Sequence, residues 1–123
     1  MISKLRSSAL LGVDAFIVEV EVYVSNGLPS FNIVGLPDTA IQESRERVRS
    51  ALKNAEYHFP MQRITVNLAP ADVKKEGPAL DLPIAIGVLI ANEQMEAIPF
   101  KDFIIIGELS LNGSIRPTLR KCS

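Results

Sequence analysis

The sequence predicts an α+β fold in two layers, a mixed sheet carrying two main helices, in the order β-β-β-α-β-α-β-β. Three observations carry that expectation. Residues 15–24 read AFIVEVEVYV, with Phe16, Val18, Val20, Val22 and Val24 on one face and Ile17, Glu19, Glu21 and Tyr23 on the other. Such period-two alternation in β-branched residues marks a strand. Ile41, Val48, Leu52 and Ala55 recur at helical spacing and give one amphipathic stripe. Residues 82–91 are apolar on every side, so a helix there must be covered by the sheet or by another layer.

Each element follows from local chemistry. Residues 3–11 form a first strand, and Gly12 and Val13 turn into the second. Its two glutamates imply a wet outer face, which an antiparallel sheet permits. Ser25-Asn26-Gly27 has hairpin-turn chemistry, with positive φ expected at both turn centres. Residues 28–34 return as a third strand with Phe31 and Ile33 on one face. Gly35-Leu36-Pro37-Asp38 then launches the first helix, capped by Asp38 or by a Thr39–Gln42 capping box, and ending near 54–57. Residues 63–68 form a strand with Ile64, Val66 and Leu68 on one face. A loop follows, and the apolar helix starts at Asp81, with Asp81 as cap and Pro83 in the first turn. Residues 103–106 form a buried strand, and 109–115 a hairpin around Asn112-Gly113. Residues 117–123 follow without an evident terminating element, which predicts a fragment of a longer polypeptide.

The bulk numbers exclude several classes. With 123 residues the chain is one domain, long enough to bury roughly two-thirds of its unfolded surface. Hydrophobic residues at 47% and charged residues at 22% argue against disorder. A net charge of −1 provides no global field for nucleic acid or anionic lipid. Cys122, the single cysteine, excludes an internal disulfide and fits a reducing compartment. No secretory signal is read at the start, and the longest apolar run is about half of the roughly 20 residues that span a bilayer. A soluble cytoplasmic protein without membrane contact is expected.

The chemistry concentrates in residues 67–91, NLAPADVKKEGPALDLPIAIGVLIA, a strand, a backbone-rich loop and a buried helix start. Helix N-termini present unpaired N–H groups, so this arrangement is a common way to build a site. The constellation is Lys74, Lys75, Glu76, Gly77, Pro78, Ala79 and Asp81. Lys74 and Lys75 read either as contacts for a subunit, DNA or an ATPase module, or as solvated lysines beside Asp72 and Glu76. Arg45, Arg49 and Lys53 form a basic row at i, i+4 and i+8. It reads either as a contact for phosphate or an acidic partner, or as a solvated flank partly neutralised by Glu43, Glu46 and Glu56. His58 has no second histidine to share a metal and reads as a loop residue. The sequence contains no phosphate-binding P-loop, no dinucleotide fingerprint, no zinc cluster and no calcium loop.

Residues 27–52 (GLPSFNIVGLPDTAIQESRERVRSAL), 63–89 (RITVNLAPADVKKEGPALDLPIAIGVL) and 106–117 (IGELSLNGSIRP) resemble, in collinear order, the ComM/YifB family of magnesium-chelatase-like AAA+ proteins. The resemblance implies a Lon-protease-like N-terminal domain, the fold of the second domain of a small-subunit ribosomal protein, placed ahead of an ATPase module. It implies ATP and magnesium for the full-length relatives and none for this chain. It also implies partners in the chain's own ATPase module and neighbouring subunits of a hexamer, with DNA remodelling during recombination as the activity. Lon-type proteases carry their nucleophile as the serine of P-K-D-G-P-S-A-G. The matching run here is 73–80, and Gly77-Pro78 sets Ala79 in the serine position. Alanine has no oxygen to attack a carbonyl. The assisting lysine would fall near Cys122, with Lys121 one position away. The expectation is therefore a non-catalytic domain. The alternatives are an architectural docking module, a magnesium-chelatase subunit-like role, and a residual Lon-type peptidase.

Overall fold

The computed structural model of the chain describes residues 2–11, 14–70, 80–94, 103–106 and 118–121. It contains β1 (Ile2–Leu11), β2 (Asp14–Ser25), β3 (Ser30–Val34), α1 (Asp38–Asn54), β4 (Arg63–Ala69), α2 (Asp81–Ala91), β5 (Phe103–Ile106) and β6 (Thr118–Lys121). The fold is α+β, with one mixed sheet in the order β3-β4-β2-β1-β5-β6 and two helices. β1–β2, β2–β4 and β5–β6 are antiparallel, and β3–β4 and β1–β5 are parallel.

The alternation in β2 sorts as the sequence predicts. Val18, Val20, Val22 and Val24 are buried, while Ile17, Glu19 and Tyr23 are exposed. Leu5 in β1, Phe31 and Ile33 in β3, and Ile64, Val66 and Leu68 in β4 complete the inner face. Every residue of α2 except Ile90 is buried, because the helix packs on β1 and β2 and meets α1 on another side. Full burial of Leu82, Ile84 and Leu89 contributes about 1.5–3 kcal/mol each. Gly87 faces the cross-strand pair Ser3–Val22: a Cβ there would stand 2.7 Å from Val22 Cγ2. The Ser3 hydroxyl donates to the Gly87 carbonyl at 2.8 Å. Among the described residues no helix is long and apolar enough to cross a membrane.

Three local expectations fail. Asn26-Gly27 does not close a hairpin, because β4 lies between β2 and β3 in the sheet. Asn26 keeps negative φ, and its side-chain carbonyl instead accepts from Gln62 Nε2 at 3.1 Å. The β3–α1–β4 crossover takes the neighbouring position that a hairpin would have used. The first helix starts one residue earlier than a cap at Asp38 requires. Pro37 is the N-cap, Asp38 and Thr39 are helical, and no side chain caps the first turn. Asp38 acts there only as an acid in the first turn, favourable to the helix dipole. Residues 118–121, for which no element is expected from the sequence, form strand β6 antiparallel to β5. Thr-Leu-Arg-Lys shows little apolar alternation because an edge strand is held by its backbone and tolerates charge. The hairpin expected at 109–115 lies outside the described residues.

Both helices end in the same way. Tyr57 N–H reaches the Leu52 carbonyl and Glu56 N–H reaches Lys53, with Glu56 at φ 68°. Gln94 N–H reaches Leu89 and Glu93 N–H reaches Ile90, with Glu93 at φ 60°. These are Schellman ends with glutamate where glycine is usual. The Gln94 side chain then binds His58 on both backbone groups, donating to its carbonyl at 2.7 Å and accepting from its N–H at 3.0 Å. His58 is an exposed loop residue, as its sequence setting predicts.

Candidate functional site

The strand–loop–helix stretch enters through β4 and leaves into α2, so both of its walls are fixed by the core. Lys74, Lys75, Glu76, Gly77, Pro78 and Ala79 lie outside the described residues. So does Cys122, while Lys121 is described only by its backbone place in β6, opposite Phe103. The described part of the site is its exit, Leu80 and Asp81, and what surrounds them.

Asp81 does not cap α2. Leu80 is the N-cap position, no side-chain cap bond forms, and Asp81 is the first helical residue. Its carboxylate turns inward and is 1% exposed. Ser44 Oγ donates to Oδ1 at 2.6 Å, Arg47 Nη2 donates to Oδ1 at 3.4 Å, and Arg47 Nε donates to Oδ2. Burying a carboxylate is costly unless it is paired and hydrogen-bonded, and this one is both. The hydrogen bond to Asp81 raises the Arg47 pKa above its ordinary value, against the opposing effect of burial. Arg47 also meets Glu43 at 3.7 Å on its outer side. The carboxylate is sealed from solvent and engaged on both oxygens by side chains of α1. Asp81 is instead a clamp between α1 and α2.

Ser44 and Arg47 are the residues that sequence reasoning passed over. The signal lay in α1, where Ser44, Arg47, Val48 and Ala51 follow i, i+3, i+4, i+7 and so extend the buried stripe with two polar residues. A lone acid heading the most apolar run of the chain required such a partner.

The basic row is brought together, though not as three equal surface cations. Arg45 Nη1 donates to the Phe31 carbonyl at 3.1 Å. Arg49 meets Glu46 at 3.3 Å and lies 5.3 Å from the Phe59 ring centroid, a cation–π contact. Lys53 is exposed beside them. Phe59 also packs on Phe31, with ring centroids 5.3 Å apart. Glu43 and Glu46 do meet arginines of α1, as the neutralised-flank reading expects, but Glu43 pairs with Arg47 rather than with the row.

On the open face of the sheet, Lys4 stands opposite Glu21 and Arg6 opposite Glu19. These side chains line a shallow depression of about 250 Å³. Opposite charges in register across strands are favourable by a few tenths of a kcal/mol to about 1 kcal/mol. Tyr23 donates to Glu21 at 2.9 Å, and this bond raises the phenol pKa above its ordinary value. Glu21→Gln is therefore expected to bring the Tyr23 titration down, read from phenolate absorbance in a Tyr57→Phe background. An unchanged titration would show that the bond does not persist in solution. Among the described residues no group of histidine, cysteine, aspartate and glutamate could hold a metal ion.

A mixed sheet with two helices on its inner face, joined through one sealed aspartate, defines an α+β domain. The chain belongs to the family described as Subunit ChlI of Mg-chelatase, whose model matches residues 20–121. It is 53% identical over 110 residues to the competence protein ComM of Haemophilus influenzae, covering 89% of this chain and 22% of that protein. It is 49% identical over 115 residues to YifB of Escherichia coli, covering 94% of this chain and 23% of that protein. YifB of Salmonella typhimurium is 50% identical over 111 residues. The chain thus spans about a fifth of the length of the curated relatives it matches. The resemblance carried by residues 27–52, 63–89 and 106–117 to ComM and YifB is borne out.

Proposed function

We propose that this chain is the non-catalytic N-terminal domain of a ComM/YifB-type AAA+ ATPase, acting in DNA remodelling and recombination during natural transformation. The observation that carries the reading is the identity to the competence protein ComM over 89% of this chain, which spans 22% of that relative. The remaining length of such a relative has room for a motor. In this reading the domain is Lon-like in fold and works in the cytoplasm. ATP and magnesium belong to the motor, and the domain's partners are that motor and neighbouring subunits of a ring. Ala79 in the nucleophile position supports a domain without acyl chemistry, and the sealed Asp81 supplies no replacement acid or base.

ATP hydrolysis by the full-length protein, set beside hydrolysis by the 123-residue chain, tests the proposal. Turnover is expected from the full-length protein only. Substantial turnover by the chain alone would place the motor here and defeat the reading. DNA titrated across a salt series is expected to bind the chain weakly, because a net charge of −1 yields little counterion release.

A further inference from the structure

The outer edge of β3 and the cleft beside it have no part in the reading above. β3 ends the sheet. The Ser30 N–H bonds the Gln62 carbonyl at 3.3 Å, on the β4 side. By the alternation of a strand, the backbone groups of Asn32 and Val34 also face β4, and those of Phe31 and Ile33 face outward. The side chains of Phe31 and Ile33 are buried at 3% and 4% exposure, so this edge is held by the core.

Arg45 marks the edge by donating to the outward Phe31 carbonyl. From there the basic row leads into a cleft of about 230 Å³ lined by Pro29, Phe31, Arg49, Lys53, Phe59 and Met61. The cleft has an apolar floor and a cationic wall, and among the described residues no acidic side chain lines it. Met61 is 77% exposed at its rim, and Leu28 nearby is 85% exposed. Glu46 is exposed and Arg49 half-buried, so the pair is worth little and an incoming carboxylate can replace it.

We propose that this surface binds an extended acidic peptide segment. The segment adds to β3 as a strand, taking the Phe31 carbonyl over from Arg45, places one apolar side chain in the cleft, and sets carboxylates against Arg49 and Lys53. Strand addition supplies main-chain hydrogen bonds, and the pocket and charges supply selectivity. A single-stranded nucleic acid fits less well. The Phe59 ring is engaged by Phe31 and Arg49, which leaves it poorly placed to stack a base as such sites require. The proposal stands apart from the assignment of a motor to the rest of the protein.

The test uses the full chain and four labelled probes. They are a peptide alternating glutamate and leucine, its lysine counterpart, the glutamate peptide with alternate amides N-methylated, and an oligothymidine. The glutamate peptide is expected to bind saturably and to shift the Phe31 and Ile33 amides in NMR spectra. Binding is expected to weaken about tenfold or more in Arg49→Glu/Lys53→Glu, since charge is reversed at an exposed wall. Arg49→Gln and Lys53→Gln should each lose less, with circular dichroism showing an intact fold. N-methylation should weaken binding by a similar factor, because it removes strand pairing. Equal binding of the lysine peptide, indifference to charge reversal or to N-methylation, or tighter binding of oligothymidine would each overturn the proposal.

Discussion

Arg47→Met is expected to lower the stability of the fold by about 3–5 kcal/mol, because it takes the arginine charge from the buried Asp81 carboxylate. The asymmetry of the pair makes the prediction sharp. The Asp81 side chain is 1% exposed and that of Arg47 is 25% exposed. Removing the arginine takes a partner from the group that cannot reach water. Asp81→Ala strands the one that can, so its loss should be smaller, about 2–4 kcal/mol including the unpaired Ser44 hydroxyl. The triple variant Ser44→Ala/Arg47→Met/Asp81→Leu should recover much of the deficit, since a well-packed apolar replacement of a buried ion pair is often neutral. Denaturant unfolding of these variants measures all of this. A loss below about 1 kcal/mol for Arg47→Met would mean that the clamp is dispensable.

Gly35→Ala is the second large effect, at about 2–4 kcal/mol, from backbone strain and from a clash that cannot relax cheaply. Gly35 sits at φ 107°, where side chains rarely go, and a Cβ there would lie 2.4 Å from the Leu68 carbonyl oxygen. That oxygen is backbone, in the strand that leads towards the Lys74–Lys75 loop. The variant should therefore disturb the end of β4 as well as the start of α1. Unfolding curves and amide shifts at 66–69 check both parts. A variant as stable as the parent would show that the turn after β3 has another conformation available.

The parts of the fold legible from the sequence are those that local patterning determines. Valines at every second place in β2 can only serve a one-sided sheet, and the run 82–91 can only be covered. The insertion of β4 between β2 and β3 was not legible. An Asn-Gly pair fixes what a turn prefers, while the neighbour in the sheet is decided by the crossover through α1. The helix ends were hidden for a different reason. Glu56 and Glu93 occupy left-handed positions where a sequence signal would be glycine, and the Schellman hydrogen bonds hold them there. In the candidate site, the basic row Arg45, Arg49 and Lys53 could be seen by spacing alone. The Asp81 clamp could not, because Ser44 and Arg47 reach it across 37 and 34 residues of chain.

The hydrogen bonds of Gln94 on His58 have a consequence for how the domain comes apart. A helix terminus ordinarily opens by itself, one turn at a time, with little cost to the rest. Here the residue closing α2 also grips the chain just beyond the end of α1, so neither terminus can unwind fully without releasing the other. Fraying at the two helix ends is thereby coupled, since opening either one fully costs these two bonds.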